Sequence, residues 1–272
     1  MAVQISDLFY RTPAKRIFAG VCPVHGEVDM SEVEQLDGSM LSRGCKRCAW
    51  EALHMAPRDS EAYALANAQR KAENAMAAMI AAGITPRFAD ATFDSYVAES
   101  EQQRKALAKC RAYAEQFPEH FRAGRSLLLT GNVGCGKTHL ASAIVRTVVA
   151  DRATALIVPA AEIVAIAKAS MVPGSGYTDR DVVVHLGELN LLVIDEVGCQ
   201  KGSDYEMGLL HSIIDRRYQA VLPTVLISNL ELFSKDRTPG VDSFIGDRAL
   251  DRLRQNGGMA VGFTWSSMRA AA

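Results

Sequence analysis

The segment Gly131–Thr138 constrains the fold of this chain more than any other part of the sequence. It reads GNVGCGKT and matches G-x-x-x-x-G-K-[ST] at every fixed position. An apolar run, SLLLT, precedes it and a helical pattern follows it. This strand–loop–helix order is the one in which loop N–H groups and a helix N-terminus bind phosphate. The sequence therefore predicts a phosphate-binding loop.

The pattern also predicts which residues contact ATP. We expect Lys137 to reach the β- and γ-phosphates and Thr138 to hold Mg²⁺. Two interpretations of Cys135 stay open: a thiol made reactive by the helix N-terminus and the lysine, or a residue that fills a small space. The predicted nucleotide-binding residues are Gly131, Asn132, Val133, Gly134, Cys135, Gly136, Lys137, Thr138 and His139.

Polar residues end two further apolar runs. Asp195 and Glu196 follow Leu191–Ile194, and Asn229 follows Thr224–Ser228. At the carboxyl edge of a parallel sheet the two acids would face the phosphate loop. We expect Asp195 to bind Mg²⁺ with Thr138, and Glu196 to act as general base on the attacking water. Asn229 either contacts the γ-phosphate or serves as a turn residue.

Helical and apolar segments alternate from about residue 100, which favours an α/β fold with a parallel sheet. The predicted strands are Ser126–Thr130, Thr154–Val158, Leu191–Ile194 and Thr224–Ser228, and the predicted helices are 139–151, 160–170 and 204–220. An earlier stretch, 57–82, is predicted as one helix, with Asp59 and Ser60 as possible caps.

A second motif lies near the N-terminus. Cys22 and His25 form one C-x₂-H pair, and Cys45 and Cys48 form a C-x₂-C pair. Four such ligands are typical of a closed structural zinc site. His54 is an alternative fourth ligand. The other three cysteines, Cys110, Cys135 and Cys199, are expected to be ordinary thiols.

The bulk properties exclude some function classes. The net charge of the 272 residues is −1, so no global field favours nucleic acid or membrane. No apolar run is long enough for a bilayer span, and no signal peptide is evident, so we expect a cytoplasmic protein. The predicted organisation is a zinc-binding module at 1–56, a linker helix and connector at 57–99, and an ATPase domain at 100–272.

These motifs together resemble the AAA+ ATPases of the initiator and helicase-loader branch, above all the DnaC-type helicase loaders (DnaC/IstB-like). The resemblance covers about residues 83–272. It rests on the phosphate loop, on LLVIDEVG, and most specifically on the C-terminal DRALDRLRQNGGMAVGFTWSSMR. It implies a P-loop AAA+ parallel sheet flanked by helices. Residues 230–272 are too few for a full C-terminal lid domain.

The resemblance also implies roles for single residues. Asn229 corresponds to the sensor-1 position, and Arg269 to the sensor-2 arginine. Arg248 or Arg252 would be the arginine finger that a neighbouring subunit receives, and the sequence leaves that choice open. The implied partners are a replicative helicase, single-stranded DNA and further copies of the chain in an open or helical oligomer.

Within this resemblance, 160–186 corresponds to an inserted helical element that lines a single-stranded DNA path. Lys168 and Arg180 are expected to contact DNA phosphates there. Met171 stands where the loaders have an aromatic residue, and Tyr177 could replace it.

The leading hypothesis is ATP-dependent loading of a ring helicase. The alternatives are an IstB-type transposition helper, and a zinc-based adaptor with a nucleotide switch but without turnover. An intact Glu196 argues against the adaptor.

Overall fold

The computed structural model describes residues 4–268 as two compact units. The small unit is residues 10–89; the large unit is residues 90–268 with residues 4–9. These units divide the chain at residues 9 and 89, and the predicted three-part division into modules stays a prediction. The helix predicted at 57–82 packs in the small unit, and residues 90–99 belong to the large one.

The small unit is built on an antiparallel sheet of three strands in the order β1-β2-β3. The predicted helix is present, and the hydroxyl of Ser60 accepts a hydrogen bond from the N–H of Tyr63 at 3.3 Å, which confirms Ser60 as its cap. The sheet was not predicted. The elements are β1 (Lys15–Cys22), β2 (Gly26–Glu34), β3 (Met40–Cys45), and two helices, α2 (Lys46–His54) and α3 (Glu61–Ala81); a single turn, α1 (Ser6–Phe9), precedes them and belongs to the large unit.

The large unit contains a parallel sheet of five strands in the order β5-β6-β7-β4-β8. The four predicted strands are present, shifted by one to three residues at some ends. The fifth was missed, because its short sequence alternates buried and exposed residues around a glycine. The strands are β4 (Leu127–Gly131), β5 (Ala155–Pro159), β6 (Leu191–Val197), β7 (Thr224–Ser228) and β8 (Met259–Phe263).

Helices pack against this sheet and cover it. The apolar side chains of β4, β6 and β7 are almost completely buried, as expected for central strands of a parallel sheet. The helices are α4 (Glu101–Glu115), α5 (Phe117–Ala123), α6 (Lys137–Ala150), α7 (Ala160–Ala169), α8 (Asp179–Glu188), α9 (Asp204–Gln219), α10 (Asp242–Ile245) and α11 (Asp247–Arg254).

The strand order places the carboxyl end of β7 between those of β4 and β6. The phosphate loop, the acidic pair and Asn229 therefore leave the sheet at the same edge. After β7 the described part of the chain continues with α10, α11 and β8. Among the helices of residues 4–268, none has the length and apolar character needed to span a bilayer.

Candidate functional site

The phosphate loop joins β4 to α6 as predicted. Lys137 is the first residue of α6, and only 6% of its surface is exposed. Its Nζ donates hydrogen bonds to the carbonyls of Gly131, at 2.8 Å, and Asn132, at 2.6 Å. The ammonium group thus lies inside the loop, where phosphate oxygens could accept the same protons.

Thr138 and Asp195 meet across the sheet edge. The Thr138 hydroxyl donates to Oδ2 of Asp195 at 3.0 Å, and the N–H of Glu196 donates to Oδ1 at 2.7 Å. Asp195 is 6% exposed, and this burial raises the pKa of its carboxyl group. Hydroxyl and carboxylate oxygens are suitable Mg²⁺ ligands, so the two residues fit one magnesium site.

Glu196 differs from its neighbour in orientation. A β-bulge interrupts the pairing of β6 with β7 between Ile194 and Val197. Glu196 adopts a positive φ of 55°, a strained value for a non-glycine residue, and it is exposed while Asp195 is buried. Asn229 is also exposed and follows β7 directly. Both side chains are therefore open to solvent at the edge that carries the loop.

The end of the C-terminal segment that carries the resemblance crosses the phosphate loop, a contact that the sequence did not predict. We call residues 264–268, which follow β8, the strap. The N–H of Asn132 donates to the carbonyl of Phe263 at 2.8 Å. The Asn132 side-chain amide donates to the carbonyls of Thr264, at 3.2 Å, and Trp265, at 3.0 Å. The strap thus holds the first turn of the loop through main-chain acceptors.

The strap also explains two glycines of the motif. Gly131 and Gly134 have φ values of 123° and 77°, in the region that favours glycine. A Cβ at Gly131 would overlap the carbonyl of Phe263, and one at Gly134 would overlap the Ser267 hydroxyl. The N–H of Met268 donates to the carbonyl of Gly134 at 2.9 Å. These glycines permit the close approach of strap and loop.

Cys135 is an anchor for the strap. Its side chain is fully buried, and Sγ donates to the carbonyl of Trp265 at 2.9 Å. Burial raises the pKa of this thiol, and the opposing effect of Lys137 is smaller. The hypothesis of a reactive thiolate is therefore wrong, because desolvation outweighs the nearby ammonium. The interpretation of Cys135 as a residue that fills a small space agrees with the structure.

Residues 92–96 pack beside the loop. Nε2 of His139 donates to the carbonyl of Thr92 at 2.8 Å, and the Tyr96 hydroxyl donates to the carbonyl of Cys135 at 3.2 Å. The imidazole of His139 thus fixes this segment rather than pointing to a phosphate. The main chain of His139 lies in the first turn of α6, and its place among the nucleotide-binding residues stays a prediction.

The two candidate finger arginines differ in environment. Arg252 is half-buried, forms an ion pair with Asp215, and lies 5.5 Å from the centroid of the Tyr218 ring. Arg248, in the first turn of α11, is exposed. Arg269, the expected sensor-2 residue, lies outside the described residues.

The element formed by α7 and α8 carries the residues that we expect to contact DNA, and that role stays a prediction. Nζ of Lys168 lies 2.6 Å from a buried oxygen of Glu206, while the Lys168 side chain itself is 47% exposed. Tyr177 donates its hydroxyl proton to a main-chain carbonyl of α7 at 2.9 Å. Arg180 and Met171 are exposed.

Four side chains of the small unit form the predicted metal cluster. Cys22, His25, Cys45 and Cys48 have ligand atoms that all lie within 4.8 Å of one another. Nδ1 of the histidine is 3.6, 3.6 and 3.3 Å from the sulfurs of Cys22, Cys45 and Cys48, and the Cys22–Cys48 sulfurs are 3.5 Å apart. Tetrahedral Zn²⁺ separates such ligands by about 3.6–3.8 Å. The residues therefore fit one zinc ion.

Glu51 lies outside the cluster and contacts its histidine. Nε2 of His25 donates to a Glu51 oxygen at 3.2 Å, which leaves Nδ1 free to face the sulfurs. The N–H of Val24 contributes most to lowering the pKa of Cys22 to about 6, whereas the hydrogen bond with Cys22 contributes most to raising the pKa of Cys48 to about 12. His54 is excluded as the alternative ligand, because it is exposed and its Nδ1 donates to the carbonyl of Trp50.

Comparison with known proteins identifies the family. The family model described as IstB-like ATP binding protein matches residues 61–270. The chain belongs to this family. Its AAA+ fold follows from the same comparison and from the five-stranded sheet.

Several relatives of this IstB-like chain are replication proteins. The chain is 34% identical to the replicative helicase loader DnaC of Escherichia coli K12 over 190 residues, which is 69% of this chain and 73% of the relative. It is 28% identical to the uncharacterized protein YdaV of the same strain over 249 residues, which is 92% of this chain and 90% of that protein.

A solved structure agrees in fold. The crystal structure of the DnaC helicase loader superposes with a TM-score of 0.55 at 22% identity, covering 65% of this chain and 99% of that chain. At this identity the likeness supports the fold alone.

Sequence reasoning missed three contributors to the two sites of this IstB-like chain: the strap, segment 92–96 and Glu51. The first two lie in segments that contribute to the resemblance, but the tertiary contacts through which all three act were not predicted. Glu51 had a weak local signal, since an acid one turn after the second Cys pair is a suitable partner for a ligand histidine.

We predict that each chain of the purified protein binds one zinc ion. Cys45→Ser should lose that zinc, because three ligands cannot close a structural site. The matched control, Cys199→Ser, removes an exposed cysteine outside the cluster and should keep it. Elemental analysis by mass spectrometry measures the stoichiometry. Wild-type protein without zinc, or Cys45→Ser with a full equivalent, would contradict this prediction.

Proposed function

We propose that this chain is an ATPase that loads a replicative ring helicase onto single-stranded DNA. The observation that carries the proposal is the match to the E. coli loader DnaC, which spans 73% of that protein. The phosphate loop and the Thr138–Asp195 pair supply the chemistry that an ATP-dependent loader needs.

We assign the following roles to the residues of the nucleotide site. The N–H groups of the loop and Lys137 bind the phosphates of ATP. Thr138 and Asp195 would hold Mg²⁺, which would neutralise negative charge on the phosphates of ATP. Glu196 accepts the proton of the attacking water, and its exposed carboxylate is open to that water. Asn229 orients the water or the γ-phosphate from the end of the neighbouring strand.

Of the two finger arginines, we assign the role to Arg248. A finger must reach the γ-phosphate of another subunit, so its guanidinium must be free of strong contacts within its own chain. Arg252 forms an ion pair with Asp215 and its guanidinium lies over the Tyr218 ring, whereas Arg248 is exposed. This assignment implies self-assembly, in which each nucleotide site lies between two copies of the chain.

The small unit is proposed to bind the helicase rather than DNA, with structural zinc holding its knuckle. The apolar side chains of Val21, Val24 and Trp50 are more than half exposed there. Exposed apolar groups favour a protein partner. Of the three basic residues beside the second Cys pair, Arg43 forms an ion pair with Glu73, whereas Arg47 and Lys46 are exposed, so the alternative of DNA binding is left to experiment.

A second candidate is an IstB-type transposition helper, which the family description itself favours. Both candidates use the same ATPase unit, so the partner separates them. A loader binds a replicative helicase and single-stranded DNA, whereas the helper assembles on duplex DNA and recruits a transposase.

A reconstituted loading assay tests the proposal. With ATP, the wild-type chain should increase unwinding of a forked duplex by the replicative helicase of its source when the single strands are coated with binding protein. Glu196→Gln should bind ATP and helicase but turn ATP over slowly, because the amide keeps the shape and loses the base. No helicase in co-purification and preferential assembly on duplex DNA would instead support the transposition helper.

Arginine substitutions test the shared site. Arg248→Ala should bind ATP normally and hydrolyse it about 10³-fold more slowly, the lower end of the effect of an arginine finger. Arg252→Ala should mainly lower the melting temperature, since it breaks an intrachain ion pair. Mixing Arg248→Ala with Lys137→Ala protein should restore activity at mixed interfaces. Absence of restoration in mixtures shown to co-assemble would contradict the assignment.

A further inference from the structure

Glu206, in the first turn of α9, is a carboxylate buried away from the phosphate loop. Its side chain is only 4% exposed, and Nζ of Lys168 lies 2.6 Å from Oε1. The hydrogen bond from Lys168 is the main cause that lowers the pKa of Glu206. A buried carboxylate remains charged only when it is paired in this way. The pair therefore joins the last turn of α7 to the start of α9.

The second oxygen of Glu206 binds a loop. We call residues 198–203, between β6 and α9, the acidic loop, because it follows the acidic pair. Oε2 of Glu206 accepts a hydrogen bond from the N–H of Gly202 at 3.0 Å. The N–H of Glu206 in turn faces the Ser203 hydroxyl at 3.4 Å. One side chain thus connects Lys168 on α7 with the far end of the acidic loop.

The near end of the acidic loop is fixed to Glu196. The N–H of Cys199 donates to the Glu196 carbonyl at 3.1 Å. The N–H of Gly198 donates to the side-chain oxygen of Gln200 at 2.8 Å, which stiffens the turn between these points. The strained backbone of Glu196 therefore continues into a short loop whose conformation these two hydrogen bonds restrict.

The acidic loop also contacts the helix pair that carries Arg248. A Cβ at Gly202 would lie 3.0 Å from the ring of Phe244 in α10. Helix α11, with Arg248 in its first turn, follows α10 after one residue. A displacement of Gly202 would therefore also displace Glu196 and the start of α11.

We propose that Lys168 and Glu206 are positioning residues for Glu196, and that they transmit the position of α7 to the acidic loop. This inference rests on the proposed role of Glu196 as general base. Helix α7 leads into the exposed turn 170–178, so a ligand that displaces this turn would change the rate of hydrolysis through the ion pair. Neither residue touches the nucleotide in this account.

Lys168→Met tests the coupling, because it keeps most of the side-chain stem and removes the charge. The matched control is Arg216→Met, which breaks another ion pair of α9, with Glu188 at 3.0 Å. We expect Lys168→Met to lower kcat for ATP about tenfold or more, since small misplacements of catalytic groups have effects of this size. Nucleotide affinity should stay within about twofold, because the phosphate loop is unchanged. Arg216→Met should change neither quantity.

Glu206→Gln and the double variant provide a second measurement. If the two residues act as one unit, the double variant should lose no more of kcat than the more affected single variant. Additive losses in kcat would overturn the proposal. So would a lower melting temperature for Lys168→Met with kcat unchanged, since that result indicates a purely structural pair.

Hydrogen–deuterium exchange separates this inference from the proposed function. In nucleotide-free protein, Lys168→Met should increase exchange in the peptide that spans 196–203, relative to wild type and Arg216→Met. Unchanged exchange there would overturn the coupling. Wild-type protein without any ATP hydrolysis would contradict the proposed function, whereas the exchange result would still decide whether the pair holds the acidic loop.

Discussion

Parallel pairing of β4 with β7 and β8 is the constraint on which the site depends. Because parallel strands end at one edge, this pairing brings the phosphate loop, Asn229 and the strap together, although they are far apart in the chain. Adding β6 beyond β7 brings Asp195 within hydrogen-bond distance of Thr138. The chemistry of the site thus follows from strand order more than from any single motif.

Buried polar contacts fix the elements around that edge. Arg217 is completely buried and has no carboxylate partner among residues 4–268; its guanidinium donates to three main-chain carbonyls and to the Thr224 hydroxyl. These bonds tie α9 to the end of α8 and the start of β7. A hydrogen bond to a charged group contributes about 1.5–3 kcal/mol, so a group with several of them specifies one packing of the helices. Glu206 does the same between α7 and the acidic loop.

Sequence reasoning succeeded where the signal is local. The loop Gly131–Thr138, the acidic pair and each of the two pairs of the Cys/His cluster lie within a few residues, so their spacing alone predicts which side chains are neighbours. It failed where partners are distant: the contact between Sγ of Cys135 and the carbonyl of Trp265 was not predicted. The small sheet was missed because its strands have mixed polarity, with one face only partly buried. Lys168 looked like a free cation because Glu206 is 38 residues away.

The central claim is that the phosphate loop and the end of β6 form one magnesium–nucleotide site. A calorimetric titration with ATP, with and without Mg²⁺, tests it most directly when wild type is compared with Thr138→Val, which keeps the side-chain shape and removes the hydroxyl. The account predicts that Mg²⁺ strengthens ATP binding to wild type, and that Thr138→Val loses this gain while its Mg²⁺-free affinity is unchanged. The same Mg²⁺ dependence in both proteins would contradict it.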